Sequence, residues 1–250
     1  MIFYFSATGN SRHVAQRLAQ ATGDSTAAIA TCTQQGEHAF TIAPQEAVGI
    51  VSPVYFFGLP AIVEDFLRQL SLTGAGYIYF VGTYGSVGGQ VGKTVEHILA
   101  SRGLHVDLLA NVRMVDVWTP LFDVSDKLKT ARTTSLAEPR IDHVAALVKA
   151  RATSDHQCHT FPLWASRLLH GLYGHSRKTA HFTVDDSCTG CGACAKRCPV
   201  GAIVIDNGKP RWTAARCEAC LCCLHHCPAF AIQRGGATRR HGQFRHPGSR

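Results

Sequence analysis

Residues 188–199 read CTGCGACAKRCP and residues 217–228 read CEACLCCLHHCP, two copies of the pattern C-x2-C-x2-C-x3-C-P. Thiolates this crowded suit an iron–sulfur cube. Three closely spaced cysteines wrap three of its irons, and the fourth cysteine, placed before a proline, ligates the cluster of the other copy. Cys188, Cys191, Cys194 and Cys227 are therefore expected to hold one [4Fe-4S] cluster, and Cys217, Cys220, Cys223 and Cys198 a second. Gly190 and Gly192 fit a chain bent tightly around an inorganic core. Structural zinc is usually held by two separated ligand pairs, which is not this pattern. Cys222 has no slot in the register and reads as a packing or neighbouring thiol. Cys32 and Cys158 stand alone and read as small packing residues.

The flanking sequence supplies a small scaffold. Ala202 to Asp206 and Lys209 to Trp212 border Asn207-Gly208, a strong hairpin signal, while His181 to Val184 can pair with Phe230 to Ile232. Residues 180 to 234 resemble bacterial two-cluster ferredoxins, which implies a small α+β domain. Their common acidity is not shared by this near-neutral segment.

The whole chain has 250 residues, 46% of them hydrophobic, enough for one medium domain with its own core and a small one. Eleven cysteines, nine of them between Cys188 and Cys227, fit a reducing compartment in which thiols stay available to metal. No apolar run reaches about 18 residues, so no membrane span is expected. The first residues read as a strand without signal-peptide regions, and a cytoplasmic location is expected. Residues 1–155 carry 12 Lys/Arg and 13 Asp/Glu, whereas residues 156–250 carry 13 and 4. The basic tail from Gly235 lacks apolar periodicity and is expected to be disordered. The tail could touch nucleic acid or acidic lipid, but without a groove-reading motif neither is an expected partner.

The N-terminal half alternates strand and helix signals. Ile2 to Phe5 is a short apolar strand, followed by the loop Ser6-Ala7-Thr8-Gly9-Asn10-Ser11 and a helical face at Val14, Ala15, Leu18 and Ala19. That loop offers amides, hydroxyls and a helix N-terminus to an anion; a hydroxyl-rich helix cap is the plainer reading. Apolar strands at Ala47 to Ser52, Tyr77 to Gly82 and Val106 to Val112 alternate with helices at Ala61 to Leu70, Gln90 to Ser101 and Ile141 to Ala152. The series predicts a doubly wound parallel sheet, with ligands beyond the C-terminal strand ends. Thr22 to Phe40 is a poor match for the second strand and helix. Gly88 to Thr94 mimics a nucleotide loop, but Val87 stands where its first glycine belongs.

Residues 1–152 resemble flavodoxins. The resemblance implies that Ser6, Thr8, Gly9, Asn10 and Ser11 bind the phosphate of FMN. It also implies that Pro53, Tyr55, Phe56 and Gly58, with Thr83, Tyr84 and Gly85, form the loops around the ring, flanked by Tyr55 or Phe56 and by Tyr84. Both halves in this order resemble a bacterial family of flavodoxin-fold and two-cluster ferredoxin fusions. The implied organisation is a flavodoxin-like FMN domain (1–155), a linker or packing segment (156–180), a 2[4Fe-4S] ferredoxin domain (181–234) and a basic tail (235–250). The expected role is electron transport between the clusters and FMN, with redox proteins as partners. Alternatives are an FMN-dependent reductase fed through the clusters and a cluster-only module. No nicotinamide fingerprint and no acid or base for a substrate stand out. The histidines, His225 and His226 included, are dispersed and read as surface or linker residues. The stripe Phe161, Trp164, Leu168 and Tyr173 is too short to span a membrane and is expected to pack between the domains rather than onto lipid.

Overall fold

Apolar runs long enough to be buried on both faces become the central parallel strands. The computed structural model describes all residues except 45, 158–161 and 250, so the expectations placed on Cys158 and Phe161 lie outside the described residues. The first elements are β1 (Ile2–Tyr4), α1 (Asn10–Thr22), β2 (Thr26–Ala28), α2 (Ile29–Gln35), β3 (Ala39–Thr41), β4 (Val48–Pro53), α3 (Ala61–Gln69) and β5 (Ser71–Thr73). They continue with β6 (Ile78–Tyr84), α4 (Val91–Ala100), β7 (Leu108–Arg113), α5 (Lys127–Lys149), β8 (Ser154–His156) and α6 (Leu163–Ser176). The C-terminal part adds β9 (Phe182–Val184), α7 (Ala193–Lys196), β10 (Ile203–Asp206), β11 (Lys209–Trp212), α8 (Cys222–His225), β12 (Ile232–Arg234) and α9 (Thr238–His241).

Six strands form a parallel sheet in the order β2-β1-β4-β6-β7-β8, flanked by helices, as expected for a flavodoxin-like α/β fold. The two-residue side-chain period sends alternate residues to opposite cores. Phe3, Ile50, Ile78, Phe80 and Leu109 pack against α3 and α4 through Ile62, Phe66, Val95 and Ile98. Ile2, Val51, Tyr79, Val81 and Ala110 meet α1 and α5 through Val14, Leu18, Ile141 and Val144. Each such side chain fully withdrawn from water contributes about 1.5–3 kcal/mol before entropy is counted. Cys32 lies in the first core. Strand order and connections bring the loops after β1, β4, β6 and β7 to one sheet edge.

Two edge strands escaped the sequence reading. β2 and β8 have three residues each, Thr26–Ala28 and Ser154–His156, and present no apolar run; pairing to β1 and β7 makes them strands. Helix α5 begins well before the expected Ile141. Asp126 caps it by accepting from the Lys129 N–H at 3.0 Å, and the helix runs on through Pro139.

In the C-terminal part, β10 and β11 form the expected hairpin, with Asn207 (φ 48°) and Gly208 (φ 74°) in the left-handed region its turn requires. β9 pairs with β12 two residues beyond the expected partner, because Phe230 is itself left-handed (φ 51°) and cannot extend the strand.

Two expectations are corrected here. The tail is folded: Phe244 is buried against Val115 and Val124, and Val124 donates to the His241 carbonyl at 2.9 Å. Phe244, the polar side chains of His241 and Gln243, the His246–His13 stack and backbone bonds hold it, so no apolar period announces it. The stripe on α6 divides. Tyr173 packs inward, but Trp164 and Leu168 are 71% and 72% exposed, because the inward face of the helix is set by Ser166 and Tyr173.

Candidate functional site

The loop after β1 is shaped around Gly9, whose φ of 102° is a left-handed angle that L-residues avoid. Thr8, Asn10 and Ser11 are buried, and Ser6 Oγ accepts from the Gly9 N–H at 3.1 Å. No side chain caps the start of α1, so the first-turn amides of a 13-residue helix face the loop. Asn10 donates through Nδ2 to the Val115 carbonyl at 3.0 Å while its buried Oδ1 has no partner among the described residues. Ser11 Oγ lies 2.8 Å from Thr83 Oγ1, tying the first loop to the third. An uncapped helix start ringed by hydroxyls fits a phosphate.

The second loop is a tight turn in which Tyr55 and Gly58 exchange backbone hydrogen bonds at 2.9 and 3.0 Å. Phe56 and Phe57 occupy its centre at φ 48° and 67°, angles that cost bulky residues energy. Helix α6 supports the turn from beneath. His170 Nδ1 lies 3.1 Å from the Tyr55 carbonyl oxygen, and a Cβ on Gly58 would come 2.4 Å from the His170 ring. Phe56 stacks on Tyr173 at 5.8 Å and meets Trp118 edge-on at 5.1 Å. Burial pushes the Tyr55 phenol well up, so it stays protonated.

These loops, with Thr83, Tyr84 and Gly85, line one cleft of about 240 Å³. Pro53 also lines it, whereas Gly9 and Gly58 are not among its lining residues. Gly85 admits the following segment closely, since a Cβ there would meet Asp116 at 2.2 Å. Two further walls escaped the sequence reading. One is the segment Met114 to Phe122, whose aromatic Trp118 and Phe122 were a usable signal. The other is Ala219-Cys220-Leu221, inside the second cysteine motif.

The cysteine motifs are related by a shift of 29 residues, and the backbone repeats with them. Gly190, Gly192 and Gly201 are left-handed at φ 68°, 73° and 60°, and their counterparts Ala219, Leu221 and Phe230 are left-handed at 50°, 56° and 51°. Ala202 donates to Cys198 Sγ and Ala231 to Cys227 Sγ, both at 3.3 Å. Cys188, Cys191, Cys194 and Cys227 line one small cavity together with Gly190, Gly192 and Ile205. Burial raises the Cys217 and Cys223 thiols, and the nearby Cys198 raises both further. The structure thus brings the fourth cysteine of each motif to the other motif.

The sulfur spacing separates the two metal chemistries. A tetrahedral zinc with Zn–S bonds of about 2.3 Å needs sulfurs about 3.8 Å apart. Among the described residues no three cysteine sulfurs lie within 4.8 Å of one another, so the wider sets fit an iron–sulfur cube better. Cys222 is buried, with Sγ 3.5 Å from both the Arg197 carbonyl oxygen and His226 Nδ1, and burial pushes its thiol to about 12.

The second motif is fastened to the sheet. Cys220 packs against the core that includes α3 and α4. Glu218, 2% exposed, accepts from the Ile62 N–H at 3.1 Å, from Tyr173 OH at 3.0 Å and from Arg177 at 3.0 Å. It thereby caps α3 from outside the α/β unit. Arg234 lies 5.0 Å from the centre of Trp118 and 4.9 Å from that of Phe182, stacking between the units. His225, read as a surface residue, is instead 1% exposed: Nε2 is 2.9 Å from the Val117 carbonyl oxygen and Nδ1 accepts from the Phe244 N–H. That pairing makes it neutral, and burial lowers its pKa to about 4.

Residues 1–129 match the family model described as a flavodoxin domain, and residues 183–204 match that of a 4Fe-4S binding domain. The chain is 40% identical over 50 residues to a ferredoxin of Pyrobaculum islandicum, a match covering 20% of this chain and 47% of that protein. It therefore spans about half the length of that curated relative. Among solved structures, the Trp repressor binding protein from Bacillus subtilis has 16% identity and a TM-score of 0.34, covering 55% of this chain and 95% of the other. Rubredoxin oxygen:oxidoreductase from Desulfovibrio gigas has 17% identity and a TM-score of 0.36, covering 60% and 36%.

Proposed function

The chain belongs to the flavodoxin-domain family, and from that membership and its 4Fe-4S binding domain we propose an electron-transfer protein that joins FMN to two [4Fe-4S] clusters. Ser6, Thr8, Asn10 and Ser11 hold the phosphate, and Tyr55, Phe56 and Tyr84 border the ring. Cys188, Cys191, Cys194 and Cys227 take one cluster, and Cys217, Cys220, Cys223 and Cys198 the other. When bound, clusters exchange single electrons and a flavin one or two, so the chain can interconvert the two currencies.

One observation carries the reading: Ala219, Cys220 and Leu221 line the same cleft as the phosphate loop and the aromatic turn. A ligand of the second cluster thus stands in the wall of the flavin site. The chain's own residues hold that closeness, Glu218 by capping α3 and Tyr173 by touching both Phe56 and Glu218. The cleft also favours a carrier over a reductase with its own substrate. Asp116 is the one carboxylate among its lining residues, and both oxygens are engaged, by Ser86 at 2.7 Å and by the Trp118 N–H at 3.1 Å.

The test is an anaerobic preparation analysed for metal and flavin. About eight iron and eight sulfide per chain and FMN by mass are expected. With a low-potential one-electron donor, reduction of the flavin that remains bound should be slower in Cys220→Ser than in the wild type. Wild-type rates in that variant would remove the wire between the sites, zinc in place of iron would remove the clusters, and saturable turnover of a small quinone would favour the reductase.

A further inference from the structure

Helix α6 is covered on one side only. Its inner face, Ser166, His170 and Tyr173, rests on the aromatic turn and on Glu218. Its outer face carries Trp164, Leu168 and Leu172 at four-residue intervals, 71%, 72% and 58% exposed. Four-residue spacing places the three side chains one above another, so they form a continuous apolar strip. Scattered exposed apolar residues need no explanation, but an aligned Trp-Leu-Leu strip marks a contact surface.

The charge along the helix and its flanking segments is one-sided. The 29 residues from His156 to Val184 contain no Asp or Glu, whereas Arg167 and Lys178 are exposed at the side and end of the helix. A second copy of the chain is a poor occupant. A two-fold contact through this face would oppose these cations to one another. A stable dimer also needs about 800 Å² from each partner, more than three side chains of this size supply. A bilayer asks for less: an apolar face to sink below the headgroups and cations for anionic lipid, with Trp favoured at the boundary. The helix has 14 residues, and no described helix is long and apolar enough to cross a membrane, so contact would be in the plane of the surface.

We propose that α6 docks the protein on an anionic lipid surface through Trp164, Leu168 and Leu172. The same helix supports the Tyr55–Gly58 turn, so docking holds the cleft close to the lipid headgroups.

The experiment uses the holoprotein, reconstituted without oxygen, and vesicles of phosphatidylcholine with or without phosphatidylglycerol, separated by flotation. Binding to the phosphatidylglycerol vesicles is expected, and weaker binding to phosphatidylcholine alone. Trp164→Glu with Leu168→Glu should reduce it by about tenfold or more while iron, flavin content and Tm are retained, since both side chains are exposed. Arg167→Glu should weaken binding to the anionic vesicles alone. Full binding by the Trp164/Leu168 variant would assign any attraction to the tail arginines and overturn the proposal. Absence of vesicle binding, with a concentration-dependent dimer abolished by the same substitutions, would give the face to a second copy and overturn it as well.

Discussion

Ala219 and Leu221 hold backbone angles that Gly190 and Gly192 take in the first motif, although an L-residue there costs about 1 kcal/mol. Their side chains line the cleft, and that contact gives the strain a role. Ala219→Gly is therefore expected to leave stability within about 0.5 kcal/mol of wild type, since relief of φ offsets the lost methyl. Gly190→Ala should be strongly destabilising, as its Cβ would meet the Gly208 carbonyl oxygen at 2.6 Å. Denaturant titration of the two variants compares them directly, and equal losses would discard the argument. The glycines were legible in the sequence because a chain bent tightly around an inorganic core favours them. Ala219 and Leu221 were not, because nothing local says that a cysteine loop will meet the other half. Glu218 was hidden for the same reason: it reads as a surface acid until Ile62, Tyr173 and Arg177 surround it. Glu218→Ala should cost about 3 kcal/mol, given the buried amide and hydroxyl it abandons, and a loss below about 1 would mean the bonds are not coupled.

Elements with strong apolar periods were read correctly from the sequence, and those made by neighbours were not. β4, β6 and β7 are buried on both faces and announce themselves as apolar runs; β2 and β8 are strands only because β1 and β7 offer them an edge. The tail belongs to the second kind. His246 donates its backbone N–H to the Thr8 carbonyl at 2.8 Å, stacks on His13 at 4.1 Å and is 1% exposed. Burial, with His13 beside it, lowers its pKa from 6.5 to about 4. Between those values the unfolded chain binds a proton that the folded chain refuses, so stability falls as pH drops, by at most about 1.4 kcal/mol per pH unit. His246→Phe should flatten that part of the acid limb in thermal melts. An unchanged slope would assign the acid sensitivity elsewhere. Removing residues 238–250 should weaken FMN binding several-fold by releasing the phosphate loop, and equal affinity with and without them would mean the tail holds nothing.

At the scale of the whole molecule, the proposed exchange of fourth ligands between the two cysteine motifs means that damage should cross between them. Cys198→Ser is expected to impair the cluster of Cys217, Cys220 and Cys223 and to spare the one at Cys188, Cys191 and Cys194. Spectroscopy showing the reverse would mean that each motif closes its own site.

The Thr8–His246 bond joins residues at almost opposite extremes of this sequence, and that separation governs when it can form. Closing so long a loop is entropically expensive unless intervening structure has already brought the ends together. The sheet must place Thr8, and the cysteine repeat must place α8, whose Leu224 carbonyl receives Gln243 at 2.6 Å, before His246 can reach the loop after β1. If the cleft holds FMN as proposed, it is expected to mature after the metal-binding half. Chains refolded without iron should acquire FMN slowly and hold it weakly, then recover on adding iron and sulfide. Equal FMN uptake in both conditions would uncouple the two maturation steps.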